Sequence, residues 1–121
     1  DGKTEEQRSS GIWISTASGS TAGIHAAGGS MMPISSQRMQ FRVREPYTWP
    51  HPPYRILKGY SRETISLTVL VTEAAVWLDG SRTWHELKMN DRVRISTHAR
   101  PLTLLGYNDK RRKKLFSKGK R

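Results

Sequence analysis

The chain has 121 residues, enough for one domain, and contains no cysteine, so neither a disulfide framework nor a thiolate metal site is available. Its formal net charge is +11, but residues 110–121 hold eight basic residues and no acid, and subtracting these eight leaves +3 for residues 1–109. No run of about 18 apolar residues exists, which argues against a membrane-spanning helix.

The first ordered elements are predicted in residues 11–28, after a polar loop or frayed arm over residues 1–10. Residues 11–14 form an apolar run that predicts a buried strand over residues 11–16. The small and hydroxylated residues 15–22 follow, and Ser20 and Thr21 are suitable caps for one short helix over residues 20–28, ended by Gly28 and Gly29. A capped helix start with small neighbours suits an anionic or polar ligand.

The middle of the chain is predicted as a loop, a strand and a proline-rich connector. Residues 30–37 are read as a loop, and residues 39–44 alternate apolar and polar side chains, which indicates a half-buried strand. Residues 45–53 contain four prolines and cannot be regular structure. We favour a stiff connector over a proline-rich recognition segment.

The remaining residues predict further strands and therefore a mainly β fold. Asp79 and Gly80 mark a hairpin turn, Asp91 is a second turn residue, and the tryptophans are expected to supply core area, with nucleotide stacking as the alternative for Trp77 and Trp84. The arrangement favours a β-sandwich with one short helix. The predicted later strands are residues 55–58, 64–71, 74–78, 83–87, 91–97 and 101–105.

The basic tail divides the chain into two predicted parts. Residues 1–109 form the β-sandwich lobe, and residues 110–121 form a disordered, dispensable tail, because basic runs are most often solvated. The alternative is a tail that binds nucleic acid or an acidic surface weakly, in which case binding should fall steeply with salt.

A family resemblance is carried by residues 11–29, which read GIWISTASGSTAGIHAAGG. This segment resembles the strand, STPTGSTAY turn and AGG stop of NAD kinases. Residues 9–11 and 42–46 resemble the NADH-kinase-like branch of plants and some bacteria, and residues 76–80 and 89–96 resemble the C-terminal domain of the family. The resemblance covers residues 9–106 and implies the C-terminal β-sandwich domain of such a kinase.

The sequence departs from the family pattern in several places. The Gly-Gly-Asp-Gly-Thr phosphate loop and the Asn-Glu pair of the family's N-terminal lobe are absent from these 121 residues, so we expect the isolated chain to lack kinase activity. Ser10 and Gly11 stand where most members carry Asp-Gly, Ala17 replaces a proline, and Gly23 replaces a tyrosine. The first and last changes leave open whether NAD or NADH is preferred.

By resemblance, the parent enzyme phosphorylates the adenosine ribose 2′-hydroxyl of NAD or NADH with ATP and Mg²⁺, and it assembles as a homodimer or tetramer. The resemblance implies dinucleotide contacts at Thr21 and Ala22, followed by Ser20 and Ala26, and a cytoplasmic or organellar protein. No catalytic or metal-binding residue is assigned, and His25 is interpreted as structural. The alternatives are a small basic β-module that binds nucleic acid through its tail and a structural β-sandwich without a ligand.

Overall fold

The computed structural model describes residues 2–49, 53–97 and 100–118. They form antiparallel β-sheets and short helices, which confirms the mainly β prediction; assembly of the sheets into a sandwich stays a prediction. The chain divides into two compact units, residues 1–62 with 97–121 and residues 63–96. The strands are β1 (Gly11–Ser15), β2 (Met39–Arg44), β3 (Lys58–Ser61), β4 (Ile65–Thr68), β5 (Ala74–Leu78), β6 (Thr83–Leu87) and β7 (Arg92–Ile95), and the helices are α1 (Gly23–Ala26) and α2 (Asp109–Lys118).

The first unit is built on a three-stranded sheet in the order β1-β2-β3. Trp13 on β1 lies opposite Arg42 on β2, and Arg42 lies opposite Lys58 on β3, so these three side chains share one face of the sheet. The small core of this unit includes Met39 at 1 % exposure and Ile24 at 2 %, together with Ala17 and Met32. The helix α1 and the turn before it therefore join the sheet through a few buried apolar side chains.

Strand β3 begins at Lys58, so the prediction of a strand over residues 55–58 is wrong. The Glu5 carboxylate accepts the backbone N–H groups of Arg55 at 2.9 Å and Ile56 at 2.9 Å. Those donors are therefore not available to a sheet ladder. The arm that contains Glu5 has no regular structure, but it is tied to the body by these bonds and by a bond from the Gln7 side chain to the Ile56 carbonyl at 2.9 Å.

The second unit contains two separate strand pairs. Strand β4 pairs with β7, and β5 pairs with β6 in a hairpin. Asp79 has φ +49° and Gly80 has φ +105°, so the hairpin turns through two left-handed residues, as the Asp-Gly signal predicts. Asp91 also forms a turn, because its carboxylate accepts the Lys88 N–H at 2.8 Å.

The tryptophans contribute little to the core, contrary to the prediction. Trp77 and Trp84 lie opposite each other on β5 and β6, and their rings stack with centroids 5.6 Å apart. Both remain more than half exposed, Trp13 is 38 % exposed and Trp49 is 79 % exposed. The aromatic pair stabilises its hairpin by contact across the strands, and it does not cover a buried interior.

The end of the chain differs from two predictions, a strand over residues 101–105 and a disordered tail over residues 110–121. Residues 101–105 do not form a strand. The part of residues 110–121 that the structure describes is helical up to Lys118, whereas residues 119–121 lie outside the described residues. The helix starts after Asn108, whose side-chain oxygen accepts the Arg111 N–H at 2.9 Å and thus satisfies a donor of the first turn.

Candidate functional site

The hydroxyl-rich segment after β1 forms two short helical pieces instead of the predicted helix over residues 20–28. A 3₁₀ turn covers Ser18–Thr21, and α1 covers Gly23–Ala26. Ala22 separates them with φ −92° and ψ −143°, and neither piece has a side-chain cap. The predicted capping roles of Ser20 and Thr21 are therefore wrong. Because α1 is one turn long, few peptide dipoles align in it, and its dipole is too small to favour the binding of an anionic ligand.

The Ser20 hydroxyl is a buried junction inside this turn. Ser20 has 0 % exposure, and its hydroxyl donates to the Ala17 carbonyl at 2.7 Å and accepts the Met32 N–H at 2.9 Å. A hydroxyl has one donor and two acceptor positions, and the third position is taken by the Arg112 guanidinium at 3.2 Å. The side chain of Ser20 therefore serves the fold of the turn and offers no surface to a ligand.

Arg112 of helix α2 fixes the turn from behind. It is 1 % exposed, and its guanidinium donates to the carbonyls of Met32 at 2.7 Å and Ala17 at 2.6 Å. A further contact reaches the Ser18 carbonyl at 3.3 Å. A buried charge is costly unless its donors are satisfied, and here several donors meet carbonyl and hydroxyl oxygens. The tail predicted to be dispensable thus contributes a buried side chain to the predicted site.

The outer side of the turn is formed by the remaining predicted residues. Thr21 is partly exposed, and Ala22 and Ala26 are exposed. Among the residues that the structure describes, the Thr21 hydroxyl has no hydrogen-bond partner. Small side chains at positions 22 and 26 leave the backbone accessible, so this surface combines a free hydroxyl with exposed main chain.

An indole ring lies beside this surface where the family has a tyrosine. A Cβ atom on Gly23 would lie 3.1 Å from the Trp13 ring, so the glycine leaves the space that the indole occupies. The Arg44 guanidinium lies 5.4 Å from the centroid of that ring. Gly23 stands where the family resemblance expects a tyrosine, and the aromatic ring at this place belongs to Trp13 of β1.

A carboxylate is also present beside Ser10, where the family pattern has an aspartate. The Ser10 hydroxyl donates to the Glu45 carboxylate, and the Arg44 Nε atom lies 3.7 Å from the same oxygen. Glu45 has φ +36°, a left-handed conformation that is uncommon outside glycine. Sequence reasoning missed this group because Glu45 is 35 residues away along the chain and comes close only through the pairing of β1 with β2.

His25 contacts the main chain that follows α1. The His25 Nδ1 atom lies 3.0 Å from the Gly29 carbonyl.

No cluster of three His, Asp or Glu side chains that could hold a metal ion occurs in the described part of the chain. Within the same residues, no helix has the length and apolar character needed to cross a membrane.

Two plant proteins named as NADH kinases are similar to this chain. The "Probable NADH kinase" of Oryza sativa subsp. japonica is 37 % identical over 94 residues, which cover 76 % of this chain and 29 % of the rice protein. The "NADH kinase" of Arabidopsis thaliana is 33 % identical over 99 residues, or 80 % of this chain and 31 % of that protein. No protein-family model and no solved structure matches. The chain spans about a third of the length of these relatives and is homologous to one part of an NADH kinase.

Proposed function

We propose that this chain forms the dinucleotide-binding part of an NAD(H) kinase. In the complete enzyme, ATP would phosphorylate the adenosine ribose 2′-hydroxyl of NAD or NADH and give NADP or NADPH. The observation that carries this proposal is the similarity to two NADH kinases over most of the chain, combined with an accessible hydroxyl at Thr21 in the segment that resembles the family's turn.

The contacts of the described residues suggest how the turn would work. The Thr21 hydroxyl would donate a hydrogen bond to the dinucleotide or accept one from it. The small side chains of Ala22 and Ala26 would leave space for the adenosine part of the dinucleotide. Ser20 and Arg112 would hold this surface in shape from the buried side, because their polar atoms already bond to the turn itself. Binding therefore would need little rearrangement, which favours affinity.

The phosphoryl donor is assigned to residues outside this chain. The described residues offer no carboxylate cluster for Mg²⁺, and the sequence has no glycine-rich phosphate loop of the family type. We therefore expect the isolated 121 residues to bind dinucleotide without turning over ATP. The homodimer or tetramer implied by the family resemblance and the cytoplasmic or organellar location belong to the same proposal.

The proposal is tested by replacing Thr21 in the full-length protein that carries this sequence. Thr21→Val keeps the shape and removes the hydroxyl, and Thr21→Phe fills the space beside Ala22. We expect Thr21→Val to weaken NAD or NADH binding by about 1–3 kcal/mol, the scale of an unmade buried hydrogen bond, and Thr21→Phe to weaken it at least as much. ATP binding should change less in both variants.

The control is Thr103→Val, which makes the same chemical change at an exposed position outside the turn. Isothermal titration of each variant with NAD, NADH and ATP gives the affinities, and circular dichroism checks that the variants fold. Unchanged affinity for both NAD and NADH in the folded Thr21 variants would remove this turn from the dinucleotide site.

Weak nucleic-acid binding is the second candidate function, and one observation favours it. Lys110, Arg111 and Lys114 of α2 line a shallow cavity of about 430 Å³, so cationic side chains remain on the surface of this helix although Arg112 is buried. Such binding would depend on phosphate contacts and would fall steeply as salt is raised.

A further inference from the structure

A second cavity of the first unit has a cationic lining that the dinucleotide proposal does not use. It encloses about 300 Å³ beside the glycines that follow α1, and Arg42, Lys58 and Tyr60 contribute to its wall. None of its described lining residues is acidic. Its volume lies at the lower end of the range for ligand pockets, which suits a small anion or one group of a larger ligand.

The two cations of this cavity are brought together by the strand register. Arg42 lies directly opposite Lys58 in the β2–β3 pairing, so the Cβ atoms are expected to lie about 4.5–5.5 Å apart on one face. Like charges in this position destabilise a sheet. Within the described residues, neither side chain forms an ion pair or a hydrogen bond with an acceptor, so their charge is not compensated.

The backbone that follows α1 positions Arg42, but its N–H groups at residues 29 and 30 are not free donors. A Cβ atom on Gly28 would lie 3.1 Å from an Arg42 guanidinium nitrogen, and Gly28 has φ +86°, so only a glycine combines this close approach with this conformation. The N–H groups of Gly29 and Ser30 are already bonded, to the Ile24 carbonyl at 2.8 Å and to the Gln40 side chain at 2.8 Å. On this side of the cavity, an anion would therefore be bound by side chains.

We propose that this cavity binds a phosphate group, with Arg42 and Lys58 as its principal ligands. A guanidinium matches phosphate oxygens with two parallel N–H donors, and an ammonium adds a compact charge. The Tyr60 hydroxyl is a third donor on the same wall, and the Arg38 guanidinium lies 5.1 Å from the Tyr60 ring centroid. A bound phosphate would neutralise the repulsion between the two opposed cations.

This proposal stands apart from the dinucleotide proposal, because Thr21, Ala22 and Ala26 do not line the cavity. The phosphate could be inorganic phosphate or a phosphate group of a nucleotide held nearby. The two sources share the same chemistry at Arg42 and Lys58, and competition between ligands distinguishes them.

The test is a calorimetric titration of inorganic phosphate into the full-length protein that carries this sequence, at constant ionic strength in chloride. We expect Arg42→Met and Lys58→Met each to weaken phosphate binding roughly tenfold or more, the scale of a lost charged hydrogen bond. Arg42→Lys should weaken it less, because the charge remains. Arg92→Met and Lys88→Met remove the same charges from exposed positions of the second unit and should leave the affinity within about twofold.

A second readout separates a binding role from a structural one. In chloride without phosphate, Arg42→Met should melt no lower than the unaltered protein, because it removes a repulsion, and added phosphate should raise its melting temperature less. Absence of phosphate binding by the unaltered protein, or equal losses in the Arg92 and Lys88 controls, would overturn the proposal. Displacement of phosphate by NADH would support a nucleotide phosphate as the ligand, and simultaneous binding would support free phosphate. If Arg42→Met and Lys58→Met lose phosphate binding but keep NADH binding, the result supports a phosphate site that is separate from the proposed dinucleotide surface at Thr21.

Discussion

Replacement of Arg112 by methionine should destabilise the turn between β1 and α1 more than any other single change in α2. The guanidinium makes two short bonds, to the Ala17 carbonyl at 2.6 Å and the Met32 carbonyl at 2.7 Å. Hydrogen bonds from a charged group contribute about 1.5–3 kcal/mol each. Methionine loses these two hydrogen bonds but avoids the desolvation cost of a buried guanidinium. The net decrease in the free energy of unfolding is about 3 kcal/mol.

The loss should be visible both globally and locally. A change of about 3 kcal/mol corresponds to a fall in melting temperature of roughly 10–20 °C for a domain of this size. Amide hydrogen exchange gives the local measurement, because the Met32 N–H bonds to the Ser20 hydroxyl at 2.9 Å and that hydroxyl also accepts from Arg112. We expect faster exchange at Met32 in Arg112→Met.

The matched control is Arg111→Met in the preceding position of α2. Arg111 is exposed, and its guanidinium bonds to the Gly106 carbonyl at 3.0 Å, so its loss should cost less than about 1 kcal/mol. If Arg112→Met does not fold, Arg112→Lys is measured in its place, because an ammonium can keep one of the two short bonds to the Ala17 and Met32 carbonyls. Equal stability of Arg112→Met and Arg111→Met, with unchanged exchange at Met32, would refute the assignment of Arg112 as the anchor of the turn.

Three further predictions follow from single contacts. The backbone N–H groups of Arg55 and then Ile56 hold the pKa of the Glu5 carboxyl below its ordinary value. The ionised carboxylate therefore stabilises the fold at any pH above the ordinary pKa, and this stabilisation is lost as the pH falls through the lowered pKa. Glu5→Gln should flatten this part of an acid-unfolding curve, and an unchanged curve would argue against the contact. The Ser15 hydroxyl is buried without a partner in the described residues, so Ser15→Ala should leave the urea midpoint unchanged or raise it, and a clear fall would mean that the hydroxyl is bonded. Charge-neutralising changes at Lys110 and Lys114 should reduce any nucleic-acid binding seen in gel-shift titrations and flatten its salt dependence, whereas binding that survives both changes would place the contact elsewhere.

Much of the sheet structure can be predicted from the sequence because local signals agree. Strand β2 has the bounds that the alternation of residues 39–44 predicts, and the hairpin of β5 and β6 has the bounds expected around Asp79 and Gly80. Strand β3 starts later than predicted because the arm carrying Glu5, distant in sequence, takes up the backbone donors of residues 55 and 56. Alternation reports which face is buried, but it does not report such a competitor.

The candidate site is predicted only in part, and the residues missed are the charged ones. Arg112 is one of a run of basic residues, and composition alone gives each member of such a run the same solvated environment. Its partners are mostly carbonyl oxygens of the main chain, which have no sequence signature. One local signal was available: Asn108 is a capping residue and Asp109 an acidic residue suited to a first helical turn, so together they could have indicated that a helix, and not a disordered tail, begins there.

The anchoring of the turn by Arg112 also has a consequence for the order of events during synthesis. Ala17 and Arg112 are 95 residues apart in the chain. At roughly 5–20 residues per second, the ribosome needs about 5–19 s to make the intervening segment. During that interval the nascent turn has its local bonds and its sheet but not its anchor. We therefore expect the turn after β1 to be the last part of the first unit to become fixed, after α2 has left the ribosome.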